Sequence, residues 1–309
     1  MDTTCTVPRP EGTCRGGTRV SRPVKSIFSV DVEDWFHILD IRGAPQLAAW
    51  DHLPSRVESN FRLLLDLFSE NQARVTCFFL GWVARRYPQL VKEAVKQGHE
   101  IASHGYGHRL VYQMTAQEFR EDALQSRELL EDISGTAVHG FRSAGFSTTE
   151  DTPWFFEVLA EAGYRYDSSV FPAPRGHGGM RNAHREPHWV LGPTKSLLLE
   201  FPISVVDFAG TPMCFFGGGY LRLFPYWLIE RMATRVISEG RPVVFYIHPR
   251  EIDPQHPRLP MPLGRHFKTY VNLKSTEGKI VRILRQFSLT TFRDFISQER
   301  NWSRISYAA

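Results

Sequence analysis

The sequence predicts an α/β domain built on a mainly parallel sheet, and three observations carry that prediction. From Ser26 onward, short β-branched or aromatic runs alternate with longer segments of helical period, the rhythm of βα units. Ionisable residues collect at the ends of those runs and in the segments just after them. At 309 residues the chain has the length of one large α/β barrel domain, a size such domains reach without dividing.

The strand-like runs, in order, are SIFSVDV, VTCFFLG, HEIASH, VHGFRSA, YRYDSSV, LLLEFPISV and RPVVFYIHP. Between the first two lies SRVESNFRLLLDLFSE, in which Ser55 and Glu58 read as a capping box and Val57, Phe61, Leu64, Leu65 and Phe68 share one helical face. A second box, Thr115 with Glu118, opens a helix with Phe119, Ala123 and Leu130 inward, and Pro153 after Thr152 suits the start of a third. Phe171 to Pro193 is rich in Gly, Pro, His and Arg without a period, and reads as a surface loop near the active face. After the last strand, HPREIDPQHPRLPMP is a Pro-rich connection. The runs KIVRILRQF and SLTTFRDFI then close the domain with a terminal helix and cap. The division expected is a disordered leader over 1–25, one catalytic domain over 26–300 with 254–300 as a C-terminal extension, and a tail over 301–309.

Composition excludes more than it selects. Hydrophobic residues at 42% and charged ones at 23% are ordinary for a globular domain, and a net charge of +4 spread over 37 basic and 33 acidic residues argues against a nucleic-acid partner. Cys5, Cys14, Cys77 and Cys214 lack CxxC spacing, so neither a zinc knuckle nor a disulfide framework is indicated. The first 25 residues hold no apolar core of a secretory signal. The longest apolar stretch, Val75 to Ala84, is about half of the ~20 residues a spanning helix requires. A cytoplasmic location without a transmembrane segment is the expectation.

In βα architectures the C-terminal ends of the strands build the site. The first strand ends in Asp31, Glu33 and Asp34, and carboxylates this crowded repel unless a cation compensates them. Taken alone, such a cluster is better explained by solvation or helix capping. The third strand ends in His104-Gly105-Tyr106-Gly107-His108, two imidazoles at metal-ligand spacing with glycines that let the backbone approach closely. Arg142 follows the fourth strand and His248 the seventh. Any one of these is more often structural than catalytic, but four together are improbable as an accident.

The run FSVDVEDWFH, followed by HEIASHGYGH, FRSAGFS, YDSSVFP and FYIHP, resembles the polysaccharide deacetylases of carbohydrate esterase family 4, which share the nodulation-protein deacetylase domain. GGGYLRLFPY and the basic C-terminal segment resemble the subgroup associated with exopolysaccharide and exosortase loci. The resemblance covers about Ser26 to Asp253 and implies a distorted (β/α)7 barrel, single domain. It implies hydrolysis of the N-acetyl group of an amino sugar in a polysaccharide, oligosaccharide or lipid-linked glycan. His104 and His108 would bind a divalent metal, zinc first and cobalt or nickel as alternatives, with Glu33 or Asp34 as third ligand; relatives with a DxD opening point to Glu33. Asp31 would be the general base, Arg142 its orienting partner and His248 the acid, with Asp167 placed to hold that histidine. An oxyanion donor is implied near Phe146. Ala144 stands where the family carries proline, which implies a looser loop. Trp35, Phe146 and Tyr220 are candidates to contact sugar, with Phe36 and Trp154 behind them. The partner expected is an N-acetylated glycan, with peripheral membrane association if that glycan is lipid-linked. Two other readings are a hydrolase of non-sugar amides, as in allantoinase-like relatives, and a carbohydrate-binding protein without turnover.

Overall fold

The computed structural model describes residues 24–39, 41–176, 178–298 and 301–307. The leader expected over 1–25, with Cys5 and Cys14, falls almost wholly outside the described residues. The strands are β1 (Ser26–Val32), β2 (Thr76–Phe79), β3 (Glu100–Ser103), β4 (Gly140–Phe141), β5 (Tyr166–Asp167), β6 (His188–Leu191), β7 (Leu197–Glu200), β8 (Val206–Phe208), β9 (Thr211–Met213), β10 (Val244–Ile247), β11 (Leu289–Thr290) and β12 (Arg304–Ile305). The helices are α1 (Val57–Glu70), α2 (Gly81–Arg86), α3 (Pro88–Lys96), α4 (Ala116–Ser134), α5 (Phe155–Glu161), α6 (Gly218–Leu223), α7 (Tyr226–Ser238), α8 (Leu263–Tyr270), α9 (Thr276–Gln286) and α10 (Phe292–Ile296).

Each of the seven strand-like runs contains a strand, and these seven lie side by side in the order β10-β1-β2-β3-β4-β5-β7, all parallel. This is the distorted (β/α)7 barrel. Among the described residues no ladder joins β7 to β10, and a side chain bridges the seam instead. Ser204 Oγ donates to the Pro242 carbonyl at 3.2 Å and accepts the Val244 N–H at 2.9 Å.

Period two along β1 sorts its residues between two cores. Phe28, Val30 and Val32 face outward into the layer beneath the helices, with Phe61, Leu64 and Phe68 of α1. Ile27 faces the barrel interior with Phe78, Tyr166, Leu199 and Phe201. By the same alternation the interior row of β1 reads Ile27, Ser29, Asp31 and then Glu33, apolar at the floor and acidic at the C-terminal rim. The floor is closed by the C-terminal extension, where β11 pairs with the start of β1. Phe292 then stacks on Tyr166 at 5.1 Å, edge-on to Phe78 and Phe201.

Four local expectations need revision. Ser55 does not cap α1: its hydroxyl donates to Asp34 Oδ2 at 2.5 Å, and the Asp34 carboxylate takes the N–H groups of Arg56 and Val57. The long apolar face of α1 forms as expected because burial, not the cap residue, decides it. α5 begins at Phe155, two residues beyond Pro153. The Phe171 to Pro193 segment is not wholly loop, since β6 pairs antiparallel with β7. The tail contributes β12, which extends the sheet beside β6. The Thr115–Glu118 capping box is present in full. Among the described residues no helix is long and apolar enough to cross a membrane.

Candidate active site

The interior row of β1 delivers two carboxylates to one spot. Asp31 and Glu33 are two residues apart and so share a face, and a bond from the Glu33 N–H to the Asp31 carbonyl at 3.0 Å turns the chain just past the strand. Asp34 falls on the other side and spends its carboxylate on Trp35 N–H, Ser55 and the start of α1. Of the two acids held open by the sequence, Glu33 lies with the two histidines, where the three could hold a metal ion; Asp34 caps the helix.

The histidine loop is fixed from below by α4. Asp122 accepts the N–H groups of Tyr106 at 2.7 Å and Gly107 at 3.0 Å, which holds the turn between the two imidazoles. Gly105 has φ +72°, and a Cβ there would sit 2.7 Å from Asp122 Oδ2, so both the conformation and the close approach require glycine. His104 Nδ1 bonds the Arg142 carbonyl at 2.8 Å. Because a carbonyl only accepts, Nδ1 carries the proton and Nε2 keeps a free lone pair. Burial pushes the His104 pKa down to about 4, which keeps the ring neutral.

Ligand atoms of Glu33, His104 and His108 lie within 4.8 Å of one another, and all three residues are buried. His108 Nε2 is 2.5 Å from Glu33 Oε2, yet that buried oxygen has no aligned hydrogen-bond donor. Lone pairs converging on one point without a bond between them are what a shared cation requires. Burial works to raise the Glu33 pKa, but the neighbouring His108, His248 and Arg250 outweigh it and hold the carboxyl well below its ordinary range. The set of one carboxylate and two imidazoles fits a divalent transition ion with open positions.

Arg142 serves two sides of the site. Its guanidinium, wholly buried, donates to Asp31 Oδ1 at 2.7 Å, Ser29 Oγ at 2.8 Å, Ser168 Oγ at 3.1 Å and the Ser168 carbonyl at 3.2 Å, and lies 4.1 Å over the Phe78 ring. Its backbone carbonyl sets the tautomer of His104. Opposite, His248 Nε2 stands 3.8 Å from Asp31 Oδ2 and 3.5 Å from Glu33 Oε1. His248 Nδ1 meets Glu251 Oε1 at 3.2 Å, and Glu251 is itself bound by Arg222 at 2.5 Å. Burial opposes protonation of His248, but Glu33 and Glu251 prevail and raise its pKa. Burial also works against ionising Glu251, whose pKa is nonetheless brought down to about 2 by Arg222 and His248.

Asp31, Glu33, His104, His108, His248 and Glu251 line one cavity of about 320 Å³ together with Phe146 and Tyr220. Several expectations fail. Asp167 does not reach His248; it is buried and accepts from the Ser169 hydroxyl and N–H. Trp35 is buried with its indole N–H on the Pro54 carbonyl and is not a cavity wall. Phe36 packs among Trp35, Trp50 and Trp82, and Trp154 against Phe119. The Phe146 N–H donates to the Ser143 carbonyl at 3.1 Å. The loop at Ala144 is tied despite lacking proline: Ser143 N–H donates to Ser169 Oγ at 2.7 Å, and Ser143 Oγ accepts Ser147 N–H at 3.1 Å. Glu251, Arg222, Arg250 and Asp122 were missed. Glu251 stands three residues after His248, a spacing that could have found it; Asp122 sits on an ordinary helical face and gave no local signal.

The strand ends of this α/β barrel gather a carboxylate, two imidazoles, an arginine-held aspartate and a further histidine, a set of groups suited to hydrolytic chemistry. The comparisons narrow that chemistry. Residues 47–166 match the polysaccharide deacetylase family and residues 168–297 match a domain of unknown function, DUF3473. The two matched stretches adjoin, and His248 lies in the second. Asp31 and Glu33 precede both matched stretches.

A peptidoglycan deacetylase from Helicobacter pylori is 32% identical over 107 residues, 35% of this chain and 36% of that protein. A peptidoglycan-N-acetylglucosamine deacetylase from Bacillus cereus is 32% identical over 102 residues, 33% of this chain and 46% of that protein. The chain therefore spans less than half the length of these curated relatives. In structure it is similar to Puue allantoinase, with TM-score 0.58 and 17% identity over 94% of this chain and 96% of that one. It is also similar to a crystal structure assigned as a polysaccharide deacetylase from Mycobacterium smegmatis, with TM-score 0.55 and 20% identity over 87% and 88% of the two chains. At these identities the likeness concerns the fold.

Proposed function

We propose that this chain hydrolyses the N-acetyl group of an amino sugar within a glycan, releasing acetate, with a divalent metal held by Glu33, His104 and His108. The observation that carries the reading is the convergence of those three ligands beside Asp31 and His248 in one cavity. A bound divalent ion supplies Lewis acidity toward a water and the acetyl carbonyl. The remaining chemistry belongs to the chain. Asp31, fixed by Arg142, takes a proton from the attacking water. His248, whose raised pKa favours the protonated ring, gives a proton to the departing amine, and Glu251 holds its far nitrogen. Phe146 and Tyr220 shield the cavity and present ring faces to the sugar. Binding alone would need neither a paired base and acid nor the buried arginine that orients one of them.

Zinc suits the ligand set, and cobalt or nickel would be accommodated as well. The exopolysaccharide-locus kinship rests on the DVED opening and GGGYLRLFPY. The test is acetate release from N-acetylhexosamine oligomers by protein loaded with each metal, run beside a ureide substrate and a chelator control. Acetate release abolished by chelation supports the reading; ureide hydrolysis without acetate release overturns it.

A further inference from the structure

The cavity carries more positive charge than amide hydrolysis uses. Arg175, Arg222, Arg250, Arg265 and Lys268 all line it. Arg222 is committed to Glu251 and to the carbonyls of Lys268 and Thr269, and Arg265 donates to the Leu39 carbonyl. The other three keep donors to spare. Arg250 reaches only the edge of Glu33, at 3.6 Å, and its buried Nη1 has no acceptor. Arg175 gives one N–H to the Gly145 carbonyl and lies 4.4 Å over Phe171, and among the described residues no carboxylate pairs with it. Lys268 is exposed on α8, where it makes no ion pair among the described residues.

A guanidinium stays charged at any accessible pH and has no acceptor of its own, so a buried N–H without a partner is costly until a ligand supplies one. Once Glu33 gives its charge to a metal, Arg250 loses the one acid that it pairs with directly among the described residues, since Glu251 is already bound by Arg222. The matching ligand group is an anion with several acceptor oxygens. All three residues lie within 168–297, the stretch that follows the polysaccharide deacetylase match.

We propose that the DUF3473 stretch builds an anion subsite over the deacetylation site, in which Arg250, Arg175 and Lys268 receive a carboxylate or phosphate carried by the glycan next to the reacting N-acetyl group. The inference rests on the deacetylase reading above and assigns its substrate class: acidic glycans rather than neutral N-acetylated oligomers.

Equilibrium binding on the full, metal-loaded chain tests it with three probes: N-acetylglucosamine 1-phosphate, a glucuronate–N-acetylglucosamine disaccharide and neutral di-N-acetylchitobiose. At least one anionic probe should bind about 10- to 100-fold tighter than the neutral one, as for a charge-assisted bond of ordinary strength, and the preferred probe separates phosphate from carboxylate. The margin should narrow with added salt. Arg250→Gln should remove most of it, with metal content measured alongside. Lys268→Gln, exposed and therefore safe for folding, should lower it roughly 2- to 5-fold. Equal binding of all three probes, or a margin that survives both substitutions, overturns the subsite. Anionic preference in a chain that releases acetate from no glycan would instead sink the deacetylase reading and leave the subsite standing.

Discussion

Glu33 and Asp34 are adjacent carboxylates with opposite assignments, and separating them experimentally is a sharp check on the site. Asp34 accepts from Trp35 N–H at 2.8 Å, Ser55 Oγ at 2.5 Å, Arg56 N–H at 3.1 Å and Val57 N–H at 3.3 Å. Losing a capping carboxylate costs about 0.5–2 kcal/mol, and leaving buried donors without an acceptor adds about 1–3 kcal/mol. Allowing for partial rescue by water, Asp34→Ala should lower unfolding free energy by about 2–4 kcal/mol in urea titrations, with metal stoichiometry unchanged. Glu33→Gln keeps the shape and removes the charge. It should cut metal affinity by more than the roughly 10- to 100-fold typical of outer-shell changes, measured by competition with a chromogenic chelator. An Asp34→Ala protein that keeps its stability and loses metal would refute the assignment of both residues.

His104→Ala should lose metal and acetate release together, read by elemental analysis and acetate assay. Gly105→Ala forces a Cβ to within 2.7 Å of Asp122 in a left-handed backbone, and should destabilise the fold by about 1–2 kcal/mol while weakening metal binding. Asp167→Asn should leave the His248 pH dependence in place, because Asp167 faces Ser169 and Glu200, whereas Glu251→Gln should move the alkaline limb of the rate profile to lower pH by removing the acid that raises the His248 pKa. Glu251, with its folded pKa depressed to about 2, contributes stability that is present above its unfolded value and lost as pH falls toward 2. Acid unfolding of Glu251→Gln should therefore be flatter between roughly pH 4.5 and 2 than in the wild type.

The strand runs and the polar strand ends were legible because both follow from local period. Asp31 and Glu33 are two apart on a strand and must share a face, and His104 and His108 flank glycines that close a turn. What escaped the sequence depends on contacts between distant segments. Ser55 reads as a cap by spacing, but Asp34 arrives from 21 residues away with a stronger acceptor and takes the position. Asp167 was a reasonable partner for His248 by order along the chain, yet β5 points it at Ser169 while Glu251, one turn past His248, does the holding. Trp35 follows the acids directly and looked accessible; the turn after β1 buries it against Pro54. β6, inside a stretch rich in Gly and Pro, forms only because β7 offers it an edge.

The central claim is that Glu33, His104 and His108 grip a single divalent ion beside Asp31. Anomalous diffraction from zinc- or cobalt-soaked crystals measures this directly. One peak about 2.0–2.2 Å from a Glu33 oxygen and from Nε2 of both histidines is the predicted result. A protein crystallised at saturating metal that shows its peak elsewhere, or none, contradicts it.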